Sequence, residues 1–175
     1  MRIVFVGAVE FSHSALQYLV SKGADVVGVC TLKKSKFNSD HVDLSHTSAL
    51  HGIPWLYANE INSEESIDWI KRKKPDVIFC FGWSKLLKQE LLGVAPMGVV
   101  GFHPAALPAN RGRHPLVWAL VLGLKETAST FFFMDDGADR GDILSQRDIQ
   151  ISDEDDASTL YKKITQAALG QLEEF

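Results

Sequence analysis

The sequence predicts an α/β fold, built on a Rossmann-like, mostly parallel twisted sheet with helices on both faces. Short apolar runs of strand length alternate along the chain with segments whose apolar residues recur at helical spacing, and this alternation is typical of successive β-α-β crossovers. The chain has 175 residues, of which 46% are hydrophobic and 23% are charged, as in an ordinary globular domain. We therefore treat residues 1–175 as a single domain.

Four strands are predicted in the first half of the sequence. An apolar run at residues 3–7 ends in glycine, and apolar residues at helical spacing follow it. A charged helix is predicted at residues 63–73. The other strands of this half are predicted at residues 26–31, 55–58 and 77–82.

Three more strands and two helices are predicted in the second half. The strands are predicted at residues 99–103, 130–134 and 143–151. Pro115 begins the helix after the first of them, because proline suits the first turn of a helix. The last helix is predicted from about Asp156 and keeps its helical pattern to Phe175, with no glycine or proline cap. That pattern is what a chain truncated at its C-terminal end would show.

The composition argues against several classes of protein. The net charge is −4, so the chain has no overall positive field to attract nucleic acid or acidic membranes, although a local basic patch stays open. Cys30 and Cys80 lie in predicted strands, where core thiols of a reducing compartment are expected. The strongly apolar stretch at residues 116–124 is shorter than the roughly 20 residues of a membrane span. We expect a cytoplasmic protein with no membrane contact.

Residues 33–46 form a polar segment without clear periodicity. The pattern predicts a mobile surface loop. Closure of this loop over a ligand is the alternative.

The first candidate for chemistry is His103, which ends the apolar run of the fifth predicted strand. Open α/β sheets keep their ligands at the ends of such strands. Pro104 and Pro108 stiffen the segment that follows, before Gly112 allows a turn. A stiff loop favours a site whose histidine must keep its orientation.

The second candidate is an acidic, glycine-containing loop after the sixth predicted strand. Four aspartates and two glycines lie between residues 135 and 142, so one carboxylate is expected to fold back toward His103. A histidine paired with a carboxylate can handle protons. A solvated turn or a cation site is the alternative, but the spacing lacks the acidic ligand at the twelfth position of a calcium loop. No metal is predicted.

Gly7 follows the first strand, where nucleotide-binding turns occur. The sequence after it lacks the later glycines of a dinucleotide fingerprint. A structural turn is therefore predicted there. Binding of a phosphate group that belongs to a substrate is the alternative.

Two motifs and their spacing resemble a known family. His103 is followed by Leu107-Pro108, and Asp139 comes 36 residues later (103 to 139) within a loop that repeats aspartate and glycine. With the opening residues 2–7, these features resemble the folate-dependent formyltransferases over essentially the whole chain. That family includes enzymes acting on methionyl-tRNA, on glycinamide ribonucleotide and on sugar amines, and the chain is closest in character to the sugar-amine enzymes.

The resemblance implies a catalytic domain that transfers a formyl group from 10-formyltetrahydrofolate to a primary amine without a metal. It assigns catalysis to His103 and Asp139. Gly101 stands where the family has a catalytic asparagine, which donates a hydrogen bond to the oxygen that becomes negative. Without that side chain, another group must donate the hydrogen bond. The candidates are protonated His103, a backbone N–H near Gly101, a water molecule and Asn110.

The resemblance also assigns binding residues. Those predicted to contact the folate donor are Trp83, Lys85, Leu86, Leu87, Met134, Asp135, Asp136, Gly137 and Asp139. Those predicted to contact the acceptor are Arg111, Arg113, Gly7 and Phe11. The expected acceptor is a small molecule, a nucleotide-linked amino sugar. A methionyl-tRNA formyltransferase core and a non-catalytic folate-binding or nucleotide-binding module are the alternatives, and a homodimer stays open.

Overall fold

The computed structural model describes residues 1–36 and 38–175. The strands of these residues are β1 (Arg2–Val6), β2 (Asp25–Thr31), β3 (Trp55–Tyr57), β4 (Val77–Cys80), β5 (Val99–His103), β6 (Glu126–Phe133) and β7 (Ile143–Gln150). The helices are α1 (Glu10–Ser21), α2 (Ser45–Leu50), α3 (Glu64–Arg72), α4 (Gln89–Leu92), α5 (Pro115–Val121) and α6 (Ala157–Gln171).

The described strands form one seven-stranded sheet in the order β3-β2-β1-β4-β5-β6-β7. The pairs β1/β2, β1/β4 and β2/β3 are parallel, and the pair β6/β7 is antiparallel. A mostly parallel sheet in an α/β chain confirms the predicted fold class. The chain divides into two compact units, Met1–Val100 and Gly101–Phe175, and the single domain of the sequence analysis stays a prediction.

In the first unit, β1 has a parallel neighbour on each side. Val6 lies opposite Cys30 of β2 and opposite Cys80 of β4, and both cysteines are free and buried. Burial raises the pKa of both thiols to about 12, because a thiolate is poorly solvated in the apolar interior. The predicted placement of both thiols in the core is confirmed.

In the second unit, α5, α6 and the β6/β7 hairpin enclose an apolar cluster. Its buried members are Ala119, Ile149, Ile151, Leu160 and Ile164. Gln171 of α6 is fully buried, and its side-chain amide donates to the Ser129 carbonyl (3.2 Å) and to Ser145 Oγ (2.8 Å). Apolar packing and buried hydrogen bonds thus both hold α6 against the hairpin.

Two boundaries of the second unit differ from the prediction. The last helix ends at Gln171, so its predicted extension to Phe175 is wrong. The helix begins at Ala157, next to the predicted start at about Asp156. The Asp156 side chain caps it by accepting from the Thr159 amide (2.8 Å). β6 begins at Glu126 rather than at residue 130. The buried small and polar residues at its start lack the large apolar side chains by which the strand was recognised.

Two short helices were missed. α2 has six residues and α4 has four, which is less than two turns and too short to show helical periodicity. α2 begins inside the polar segment 33–46, of which residue 37 lies outside the described residues. Near its end this segment pairs with the loop after β1, since the Val42 amide donates to the Ala8 carbonyl (3.0 Å).

Among the residues that the structure describes, no helix combines the length and the apolarity needed to cross a membrane.

The buried thiols give the first prediction. With pKa values near 12, against an ordinary value of 9.0, native Cys30 and Cys80 are expected to react with iodoacetamide about a thousandfold more slowly at pH 7 than thiols of the unfolded chain, because the thiolate is the reactive form. Mass spectrometry of timed samples, with and without guanidinium chloride, measures both rates. Rapid labelling of either cysteine in the folded protein would contradict this placement.

Candidate functional site

The candidate site of the second unit is built at the end of β5. His103 is the last residue of this strand and is only 5% exposed. Tight turns follow it, in which the Ala105 amide donates to the His103 carbonyl (3.0 Å) and the Leu107 amide to the Ala105 carbonyl (2.9 Å). The predicted stiff loop therefore starts directly at the imidazole.

The acidic loop after β6 turns back on itself. The Phe133 amide donates to the Asp142 carbonyl (2.8 Å), which closes the loop at its base. A side chain at Gly141 would collide with the Phe133 carbonyl, so this close approach needs glycine. Asp139, at the far side of the loop, has a φ of +54°, a left-handed conformation that non-glycine residues seldom adopt.

His103 and Asp139 are brought together by these two loops. Asp139 Oδ2 lies 3.6 Å from His103 Nδ1, and it accepts a hydrogen bond from the Gly112 amide (3.0 Å). The His103 side chain is 7% exposed and that of Asp139 is 23% exposed. The carboxylate is thus partly screened from water, which strengthens its attraction for a nearby positive charge.

The second nitrogen of the imidazole also has a partner. His103 Nε2 lies 2.8 Å from the Asn110 carbonyl oxygen. Because a carbonyl oxygen only accepts, the contact of Nε2 suits a ring with a hydrogen on that nitrogen, and the contact of Nδ1 with a carboxylate suits a hydrogen there. The imidazolium form is the one that would satisfy both contacts together.

Gly101 lies two residues before His103, and the space above it is filled. A Cβ atom at this position would lie 2.8 Å from Met134 Cγ and 2.9 Å from Phe132 Cζ. Such distances require the neighbouring side chains to move. An asparagine at position 101 is therefore incompatible with the packing around β5 and β6 as it stands.

Two residues that the sequence analysis missed hold the loop after His103. Thr130 Oγ1 donates to the Ala105 carbonyl (2.7 Å). Gln146 Nε2 donates to the Leu107 carbonyl (3.0 Å) and to Thr130 Oγ1 (2.9 Å). Both lie in strands with no local motif, so no signal in the sequence distinguishes them from other polar residues of a strand.

A pocket of about 280 Å³ lies beside Asp139. Its wall includes Arg111 and Arg140 as cations and Leu107, Pro108 and Ile143 as apolar side chains. Arg140 is also paired with Asp136 (3.2 Å). The volume is close to the lower end of the range for small-molecule pockets. Arg113, which was also predicted to contact the acceptor, is exposed in the adjoining segment.

The predicted donor-binding residues of the first unit lie in the segment after β4. Leu86 is 64% exposed, whereas Leu87 is buried. The side chain of Asn62 donates to the Leu86 carbonyl (2.9 Å) and accepts from the Lys88 amide (2.8 Å). Asn62 thus fixes the backbone on both sides of Leu87. It was missed because it lies 24 residues from the segment it supports.

Two further features belong to this segment. Lys85 forms an ion pair with Glu60 (2.9 Å), which ties the segment to the residues after β3. The indole nitrogen of Trp83 is buried and has no hydrogen-bond partner within the part of the chain that the structure describes. A buried N–H without a partner is costly, so this atom is suited to a ligand.

Gly7 and Phe11 are used by the fold of the first unit. A Cβ atom at Gly7 would lie 2.5 Å from Ser12 Cβ and 2.7 Å from the Phe81 carbonyl, so the turn needs glycine. The Phe11 side chain is 5% exposed and packs 6.0 Å from the Phe81 ring. The buried Phe11 side chain is therefore not available as a substrate contact.

Within the part of the chain that the structure describes, no three or more histidine, cysteine, aspartate or glutamate side chains are grouped so that they could hold a metal ion.

Comparison with known proteins identifies similar chains along the whole length. The family model described as formyl transferase matches residues 1–172. A methionyl-tRNA formyltransferase of Geobacter sulfurreducens is 34% identical over 178 residues, covering 99% of this chain and 56% of the relative. The bifunctional polymyxin resistance protein ArnA of Wigglesworthia glossinidia brevipalpis is 33% identical, covering 97% of this chain and 26% of the relative. The chain thus spans about half the length of its methionyl-tRNA formyltransferase relative.

Solved structures are similar as well. The phosphoribosylglycinamide formyltransferase of Bacillus halodurans has a TM-score of 0.81 at 26% identity, covering 98% of this chain and 91% of that one. The sugar 3N-formyl transferase WlaRD, solved with dTDP and 5-N-formyl-THF, has a TM-score of 0.76 at 20% identity, covering 99% of this chain and 61% of that one. The second likeness concerns the fold alone.

The packing around Gly101 gives the second prediction. Gly101→Ala is expected to lower the free energy of unfolding by about 1–3 kcal/mol, because the added methyl group overpacks the contact with Phe132 and Met134. Urea unfolding measures the change. Gly93→Ala is the matched control, since a Cβ atom there meets its nearest neighbour at 3.5 Å. A Gly101→Ala variant as stable as the unaltered protein would contradict the described packing.

Proposed function

The chain belongs to the formyl transferase family, and on that premise we propose that it transfers a formyl group from 10-formyltetrahydrofolate to a primary amine. The observation that carries the proposal is the imidazole of His103, held between the Asp139 carboxylate and the Asn110 carbonyl. A buried histidine with a carboxylate on one nitrogen and a proton on the other suits the stabilisation of an oxyanion and the movement of protons.

The donor supplies a formyl group bound to nitrogen. As the amine attacks the formyl carbon, negative charge develops on the formyl oxygen, and the imidazolium of His103 donates its Nε2–H there in place of its bond to Asn110. Asp139 stabilises the imidazolium and relays the proton that the amine releases. That proton ends on the donor nitrogen as the carbon–nitrogen bond breaks, so the proton count balances.

Because Gly101 stands where the family has an asparagine, the proposal assigns the oxyanion role to His103, with a backbone N–H, a water molecule or Asn110 as the alternative donors. Gly101 has no side-chain donor, and Phe132 and Met134 fill the space beside it. Removal of one donor to an oxyanion costs about 100- to 1000-fold in rate in other enzymes. We therefore expect slow transfer relative to enzymes that keep the asparagine.

The donor is assigned to residues of two segments. In the first unit these are Trp83, Lys85, Leu86 and Leu87, and the unpartnered Trp83 indole N–H supports a ligand there. In the second unit they are Met134, Asp135, Asp136, Gly137 and Asp139. The Gly137 amide donates to Asp135 Oδ1 (2.8 Å) and the Asp139 carbonyl accepts from Arg111, so the proposal gives an amino-substituted heterocycle such as pterin the main-chain carbonyls of residues 134–137.

Two acceptors are supported by different observations. The net charge of −4 favours a small acceptor, a nucleotide-linked amino sugar, over a polyanion. The similarity to a methionyl-tRNA formyltransferase favours methionyl-tRNA. In either case Arg113 is exposed and available to a phosphate of the acceptor.

The test is incubation of the full chain with 10-formyltetrahydrofolate and, in parallel, nucleotide-linked amino sugars, methionyl-tRNA or no acceptor. Formylated product in one of the first two assays identifies the acceptor and supports the proposal. Release of formate without an acceptor indicates a hydrolase. Donor binding without either reaction indicates a binding module, and both of these results would overturn the proposal.

The role of His103 gives the third prediction. His103→Ala is expected to lower the rate of formyl transfer by at least about 100-fold, because a positioned acid or base contributes that much. Single-turnover kinetics measures the loss. His51→Ala, which changes an exposed histidine, is the control. Near-normal turnover by a folded His103→Ala variant would eliminate this role.

The contacts of Asn62 give the fourth prediction. Asn62→Ala is expected to weaken donor binding by up to about tenfold, since it removes two hydrogen bonds that fix the backbone beside Leu87. The acceptor KM should stay within about twofold. Asn59→Ala is the matched control, because Asn59 contacts Lys85 through its main-chain carbonyl. Titration with tetrahydrofolate measures binding, and equal affinities of the two variants would argue against the donor segment.

A further inference from the structure

We propose that Arg111 is a positioning residue, which acts on the proposed reaction through Asp139 rather than through the acceptor. This inference rests on the proposed function. Arg111 Nε donates a hydrogen bond to the main-chain carbonyl of Asp139 (2.8 Å). The sequence analysis expected this arginine to bind an acceptor phosphate, and the observed contact gives it a different partner inside the protein.

Asp139 needs support of this kind because of its backbone. Its φ of +54° is in the left-handed region, which costs energy for a residue with a side chain and persists only where surrounding contacts enforce it. Arg111 holds the carbonyl of Asp139, and the Gly112 amide holds its carboxylate (3.0 Å). The two bonds fix both ends of the residue, so that Oδ2 is aimed at His103.

Residues 110–112 contact both members of the pair, and we call them the 110–112 clamp. Asn110 itself has a φ of +55°. Its main-chain carbonyl oxygen lies 2.8 Å from His103 Nε2. Arg111 and Gly112 bind Asp139. One tripeptide therefore sets the orientation of the imidazole from one side and of the carboxylate from the other.

The chemistry of arginine explains why a lysine would not replace it. The Nε–H of a guanidinium lies in a rigid plane and points sideways from the chain, whereas a lysine ammonium is a point charge at the end of a flexible stem. Arg111→Lys therefore keeps the positive charge and loses the directed Nε–H. If Arg111 instead bound a phosphate of the acceptor, losing its guanidinium fork would raise the acceptor KM rather than lower kcat.

The kinetic test compares Arg111→Lys with Arg72→Lys, which changes an exposed arginine in the last turn of α3. Arg111→Lys is expected to lower kcat about ten- to hundredfold, because misplacement of a catalytic group costs that much, with the acceptor KM within about twofold. Arg72→Lys should keep the kcat of the unaltered chain. A raised acceptor KM with normal kcat in Arg111→Lys would overturn the inference and favour phosphate binding.

A second readout does not depend on turnover. The ¹⁵N chemical shift of His103 Nδ1, measured by NMR, reports how the carboxylate is placed. Arg111→Lys is expected to move this shift in the direction produced by Asp139→Asn, and Arg72→Lys should leave it unchanged. An unaltered Nδ1 shift in Arg111→Lys would overturn the inference. If the unaltered chain formylates no acceptor, the proposed function fails, and the NMR result still decides the role of Arg111.

Discussion

The two contacts of the His103 ring, with Asp139 at 3.6 Å and with the Asn110 carbonyl at 2.8 Å, are the interaction on which the candidate site depends. The contact with the carbonyl is the shorter one, and because a carbonyl only accepts, it suits a hydrogen on Nε2. Nδ1 faces a carboxylate. The two nitrogens therefore have partners of different charge.

The loops around the ring are shaped to allow these contacts. Gly141 permits the acidic loop to close on the Phe133 carbonyl, and that closure lets Asp139 fold back at a positive φ. Thr130 holds the loop after His103 by donating a hydrogen bond to the Ala105 carbonyl. Near Gly101, Phe132 and Met134 fill the space that a side chain at that position would need. The imidazole of His103 is itself nearly buried, and a low local dielectric strengthens the attraction between a charged ring and a carboxylate.

The sequence was sufficient for features that depend on local pattern or on fixed spacing. Alternating apolar runs predicted the strands. His103 and Asp139 were recognised because His103 ends one apolar strand and Asp139 lies in the loop after another strand of the same sheet. It was insufficient where one ordinary polar residue supports a distant backbone. Asn62 and Gln146 each bind main-chain groups more than 20 residues away, and only the folded chain brings those groups within reach. The partner of Arg111 was missed for the same reason.

The pH dependence of the single-turnover rate of formyl transfer tests the central claim most directly, namely that the imidazolium of His103 is the donor to the oxyanion. We predict a rate that falls as pH rises, because an imidazole that has lost a proton no longer carries the positive charge that strengthens donation from its remaining N–H. A rate that stays flat from about pH 5 to pH 9, the range in which histidines usually titrate, with chemistry shown to be rate-limiting, would contradict the account.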